Sequence, residues 1–176
     1  MENNSLNEIE QRILEELNEF SKLYFSADNK DRSGKFVTKS ILKRVGDIGK
    51  DLKFDVCASG FKDIFYGEWL YDMVWYKEEK VTEYLLEVVL VLECEQAYGI
   101  PDIKYDFEKL LLANAKMRIM ICLAGKTPVD EIKNYFIKAV EAYKGLNKGS
   151  RILALIWHDW MGDENEHFIP HLVIKN

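Results

Sequence analysis

No apolar run in these 176 residues approaches the roughly 20 that a membrane span requires. No Pro-, Gly- or Ser-rich stretch and no repeat divides the chain. The start, Met1-Glu2-Asn3-Asn4, lacks the basic and apolar character of a secretory leader. A single soluble, cytoplasmic domain over residues 1–176 is therefore expected, with no membrane among its partners. Cysteine is scarce, and Cys57, Cys94 and Cys122 are odd in number and without CxxC spacing, which argues against a disulfide framework. They read as reduced core residues. A Ser nucleophile motif, a P-loop and a dinucleotide fingerprint are also absent. Positive charge is outweighed, and the net charge of −6 argues against a general nucleic-acid coat protein while saying little about a local groove. The 48% hydrophobic content is enough for one sizeable core.

Periodicity supplies the elements. Ser5 and Glu8 form a capping box ahead of Ile9, Ile13, Leu17 and Phe20, predicting a helix from about residue 6 to about 25. Val37, Ile41, Val45, Ile48 and Leu52 keep helical spacing, with Gly49 beside the stripe, where it weakens the helix but allows close packing. Phe54 to Ser59, Trp69 to Tyr76 and Leu85 to Glu93 read as a meander of strands, the last two joined by a polar connection from Lys77 to Glu83. A helix is predicted after Pro101 from Ile103, Phe107, Leu110 and Leu111. Met117 to Ala124 is apolar on both faces, as a strand between two layers must be. Thr127-Pro128 opens another helix ending at Gly145. Ile152 to Trp157 and Phe168 to Ile174 are further strands, with Pro170 placing the last near an edge.

The chemistry gathers at one strand end. Leu85 to Leu92 is among the most apolar runs in the chain, yet it closes in Glu93-Cys94-Glu95. Side chains alternate along a strand, so both acids point the same way, about 7 Å apart. Asp72 lies in the middle of the predicted second strand, on the face of Glu68, Leu70 and Val74. Like charges on one sheet face imply a cation. If the turn is symmetric, residue numbers across the hairpin add to about 161, so Glu68 faces Glu93 and Asp72 falls roughly 13 Å away. A bulge or an offset turn is needed to bring Asp72 to the pair.

The order helix, three strands, helix, strand, with these acids, resembles the core of the restriction-endonuclease-like (PD-(D/E)XK) nuclease superfamily over Phe36 to Ala124. That resemblance implies an α/β (α+β) fold, a central mixed β-sheet flanked by helices with an αβββαβ core. It also implies an acid on the second strand and Asp/Glu-x-Lys on the third, where carboxylates hold Mg²⁺ and the lysine assists the attacking water. Here the metal ligands implied are Asp72 or Glu68, with Glu93 and Glu95, and the ion is Mg²⁺ or Mn²⁺. Glu95 stands where the lysine would be, and Lys109, in Asp106-Phe107-Glu108-Lys109, is the lysine relocated to the following helix. Asp72, Glu93, Glu95 and Lys109 form the implied catalytic set. Such an assembly suits phosphodiester hydrolysis, which needs hard oxygen ligands, an activated water and cationic help.

The expected function is Mg-dependent cleavage of DNA. The alternative is a catalytically silent interaction or nucleic-acid-binding protein of the same fold, the acids being a solvated strand end and Lys109 a surface residue. Lys35, Lys39, Lys43, Arg44, Lys50 and Lys53, against Asp47 and Asp51, make the second helix locally basic, so Lys39, Lys43 and Arg44 are candidates for contact with a phosphate backbone, or else a solvated helix face. His158-Asp159, Glu166-His167 and His171 raise zinc, but without a fixed ligand pattern. Trp69, Trp75, Trp157 and Trp160 are either a base-stacking platform or core. DNA is the expected partner, and a homodimer is left open.

Overall fold

Six strands lie in one mixed sheet between two pairs of helices, as given by a computed structural model that describes residues 5–26, 33–61, 64–67, 69–97, 99–157 and 167–176. The elements are α1 (Glu8–Ser26), α2 (Gly34–Asp51), β1 (Asp55–Ala58), β2 (Met73–Glu78), β3 (Leu85–Glu95), α3 (Ile100–Leu112), β4 (Met117–Leu123), α4 (Val129–Ala142), β5 (Arg151–Trp157) and β6 (Phe168–Ile174). Strand order in the sheet follows the chain. β2 and β6 run antiparallel to the other strands, and β3, β4 and β5 pair in parallel. The parallel steps require crossovers, which α3 and α4 supply. No helix among the described residues is long and apolar enough to cross a membrane.

The two sheet faces have separate cores. Ile13, Leu17, Ile41 and Val45 of α1 and α2 pack on Trp75, Leu90, Leu92 and Ile119. Ile103, Phe107, Ile132 and Phe136 of α3 and α4 pack on Val74, Val91, Met120 and Cys122. β3, β4 and β5 are therefore buried on both sides, which is why their sequences are apolar without alternation. Trp75 and Trp157 are fully buried core residues. Trp157 meets Phe20, Tyr24, Phe25 and Phe168, pinning α1 to the end of β5. Trp160 lies outside the described residues. All three cysteines are free and buried.

Several local expectations change. The reciprocal cap of α1 is Asn7 with Glu10, not Ser5 with Glu8: Glu10 N–H donates to Asn7 Oδ1 and Asn7 N–H to Glu10 Oε2, each at 2.9 Å. Asn accepts at this position as well as Ser does, and the shift starts the helix where Glu10 can also be buried. α4 has no side-chain cap and ends at Ala142, three residues before Gly145, with Tyr143 as its C-cap. Gly49 does sit at a close approach, since a Cβ there would stand 2.7 Å from the Trp75 ring. Pro170 lies on β6, an edge strand.

The second strand differs most. It begins at Met73, so Asp72 immediately precedes it rather than standing in its middle. β1 has only four residues to offer as partners, Ala58 pairing with Met73. Upstream of that rung the chain bends away, leaving Trp69 45% and Leu70 71% exposed.

A buried glutamate, a lysine and an offset strand pair

Register brings the acids together. Met73 pairs with Leu92, Val74 with Val91 and Trp75 with Leu90, and the ladder slips between Trp75 and Tyr76 and again between Lys77 and Glu78. Each slip adds a residue on the β3 side, as bulges do. The expected symmetric pairing therefore fails, and the same register continued one residue past Met73 sets Asp72 opposite Glu93. Asp72 Oδ2 accepts the N–H of Cys94 at 2.9 Å, extending the ladder by a side chain where β2 has no backbone left to give. That bond is a structural reason for an acid here, which position in the sequence did not suggest. Glu68, the competing candidate, lies outside the described residues.

Glu93 is 1% exposed and sits on the face covered by α3. The apolar stripe Ile103, Phe107, Leu110 and Leu111 fixes that helix on the sheet. Asp106 and Lys109, one turn apart on its flank, are thereby aimed at the end of β3. Lys109 Nζ stands 2.6 Å from Glu93 Oε1 and 3.4 Å from Asp106 Oδ1. At 2.6 Å the Lys109 ammonium is the charge-assisted partner of the buried Glu93 Oε1. Burial pushes the Glu93 carboxyl up to about 8, the contact with Lys109 opposes, and the charges of Asp72 and Asp106 push in the same direction as burial. Burial acts to lower the Lys109 ammonium, but Glu93 and Asp106 outweigh it and hold it above its ordinary value. Asp106 is a member of this cluster that a sequence reading passed over. Its spacing of three residues before Lys109 was the available signal.

Glu95 follows a different course. Its Oε1 accepts the N–H of Ala97 at 2.6 Å, and it is absent from the charges that shift Glu93. Its charge acts across to β4, where it adds to the burial that raises the Cys122 thiol. Among the described residues, no group of three or more His, Cys, Asp or Glu side chains is arranged to hold a metal ion. The cluster thus brings together Asp72, Glu93 and Lys109, and leaves Glu95 at its margin.

The basic helix is less basic than its sequence. Lys43 pairs with Asp47 at 2.6 Å, Arg44 with Glu16, and Arg12 with Asp51 at 2.7 Å. Lys39 lies over the Phe61 ring, 5.4 Å from its centroid. These cations belong to helices on the opposite sheet face from Lys109. As for zinc, His158, Asp159 and Glu166 lie outside the described residues. His171 is held below its ordinary pKa by burial and by Lys133.

No protein-family model matches the chain, and no curated protein or solved structure is significantly similar to it.

Proposed function

We propose that the protein is a divergent nuclease of the PD-(D/E)XK kind that hydrolyses phosphodiester bonds in DNA with a divalent cation, Mg²⁺ or Mn²⁺. The observation that carries this reading is the offset β2–β3 register, which sets Asp72 opposite Glu93 while α3 delivers Lys109 to within 2.6 Å of the same carboxylate. Two strand acids and a lysine converge from three separate elements, as the expected chemistry requires.

The donor set fits such an ion. Glu93 is buried with Lys109 beside it while the charges of Asp72 and Asp106 act against its ionised form, a repulsion that a divalent cation between Asp72 and Glu93 would relieve. Mg²⁺ takes one or two carboxylates and keeps several waters, so Asp72 and Glu93 would suffice to hold it, with Glu95 the next carboxylate along β3. When bound, the ion supplies Lewis acidity and a water of lowered pKa. Lys109 holds its ammonium, with Asp106 behind it, where it orients the attacking water and offsets charge developing on the phosphate. The face of α3 and the strand end exclude bulk water from Glu93, which strengthens each of these interactions.

The second reading is a catalytically silent binding protein of the same architecture. It is favoured by the closure of Glu93 under Lys109, an arrangement that stands as an ion pair without any metal. Incubation of labelled DNA with Mg²⁺ or Mn²⁺ separates the two. Under the nuclease reading the parent cleaves, and Asp72→Asn and Lys109→Met each lose about a hundredfold or more in rate. Binding of the cation without cleavage by the parent would favour the silent protein.

A further inference from the structure

Beside the acid–lysine cluster, on the same sheet face, is an apolar cleft of about 220 Å³ whose lining includes Trp69, Tyr71, Leu85, Val88 and Asn114. It lies under the end of α3, with Ala113 at its wall. Its size is below the roughly 300 Å³ at which sites for drug-sized ligands begin, and suits one planar ring system. Trp69 keeps 45% of its surface exposed and Leu85 46%, so these apolar groups are presented to solvent at the mouth. Trp69 is braced edge-on against Tyr76, their centroids 5.5 Å apart.

Chain connectivity joins the cleft to the cluster. Tyr71, in the cleft wall, immediately precedes Asp72, and Ala113, also in the wall, caps the end of α3, which carries Lys109. Arg118, on β4, donates through Nε at 3.1 Å and Nη2 at 2.8 Å to the Ala113 carbonyl. Among the described residues it has no carboxylate partner. Burial acts to lower its guanidinium, opposed only by Tyr71. A half-buried guanidinium without an anion is an unfavourable arrangement, and with its Nε–Nη2 edge taken by the carbonyl, the Nη1–Nη2 edge is the one that matches phosphate oxygens.

We propose that this cleft is a nucleobase subsite of the nuclease site. It takes one base of the DNA strand against Trp69 and Tyr71, while Arg118 meets the phosphate attached to that nucleotide. The proposal rests on the nuclease reading for its substrate and adds what that reading lacks, a feature that selects among DNA forms. A base stacked in a duplex cannot enter a cleft, so the strand must be single or the base extruded. Single-stranded or unpaired DNA is therefore the substrate class, recognised by stacking on aromatic rings and by a cation at the backbone.

The test is a metal-free titration, followed by Trp fluorescence and by anisotropy of a labelled strand. Probes are a single-stranded deoxytetranucleotide, the same backbone with abasic residues, and a blunt duplex. The expected result is that the parent binds the base-bearing strand on the order of tenfold more tightly than the abasic one, and more tightly than the duplex. Trp69→Ala should abolish that ratio, and Arg118→Met should weaken both single strands in equal proportion. Arg118→Lys should restore part of the affinity, and circular dichroism checks that each variant is folded. Should the Arg118 variants not fold, the Trp69 arm decides alone. Equal binding of base-bearing and abasic strands by the parent, no binding at all, or an unchanged ratio in Trp69→Ala would overturn the subsite. Because these arms contain no metal, they separate from the parent reading. Base discrimination in a protein that neither binds Mn²⁺ nor cleaves would keep the subsite and remove the nuclease, and cleavage without discrimination would do the reverse.

Discussion

Among the described residues two glutamates are almost wholly buried, Glu10 at 2% and Glu93 at 1% exposure, and they are built in opposite ways. Glu10 closes the cap of α1, accepting the Asn7 N–H at 2.9 Å, and receives the Arg151 guanidinium at 2.5 Å across to β5. Glu93 has one lysine at 2.6 Å and two neighbouring acids. The first carboxylate ties a helix to the sheet through two bonds to its Oε2. The second is held beside one lysine with other acids close enough to oppose its charge. Burial alone does not separate the two acids, but the charges gathered around them do.

Glu10→Ala should have the largest effect on stability. It removes a cap and strands Arg151, which keeps 24% of its side chain exposed, so a loss of about 3 kcal/mol is expected. Urea unfolding measures it, and a loss under about 1 kcal/mol would erase the contrast drawn between the two acids.

Glu93→Gln should behave differently and depend on pH. Its folded-state value, about 8, lies above the ordinary 4.5, so between these values the native state holds a proton that the unfolded state releases. Its contribution is complete below the ordinary value and is lost as pH rises through the folded one. The parent should therefore lose on the order of a few kcal/mol between pH 5 and pH 9 relative to Glu93→Gln. Parallel stability curves for parent and variant over that range would contradict the burial argument.

The ion pair itself is measured by a double-mutant cycle of Glu93→Gln with Lys109→Met at pH 8.5. Contact between partly buried groups predicts a coupling of about 1–2 kcal/mol. Additive losses would show that the lysine merely lies nearby. The smallest effect is expected for Glu95→Gln. An expectation of repulsion between Glu93 and Glu95 gives way to a bond between Glu95 and the Ala97 N–H that glutamine can also accept, so the change should stay within about 0.5 kcal/mol. A larger gain in thermal stability would return Glu95 to the cluster.

What could be read in advance followed from period and composition. The buried strands β3, β4 and β5 announce themselves as apolar runs, α3 by its stripe from Ile103 to Leu111, and the edge position of β6 by Pro170. The candidate site was legible residue by residue but not as an assembly. Glu93 stood out because an acid at the end of Leu85 to Leu92 conflicts with its surroundings, and Lys109 was identified through a family resemblance. Register was not readable, because two slips within β2–β3 leave no mark in the hydrophobic pattern and yet decide whether Asp72 faces Glu93 or Val89. Tertiary pairing was equally hidden. Arg44 and Arg12 become ion-pair partners of Glu16 and Asp51 only when α1 and α2 lie side by side, whereas Lys43 pairs with Asp47 within α2 at a four-residue spacing already present in the sequence.

The central proposal is that Asp72 and Glu93 together hold a divalent cation. Calorimetric titration of the parent with Mn²⁺ at pH 8.5, beside Asp72→Asn and Glu93→Gln, tests it most directly. The expected result is saturable binding by the parent, with a fraction of a proton released to the buffer as the ion displaces it from Glu93, and loss of binding in both variants. Absence of Mn²⁺ binding by the parent, or equal binding by all three proteins, would contradict the account and leave Glu93 and Lys109 as a structural ion pair.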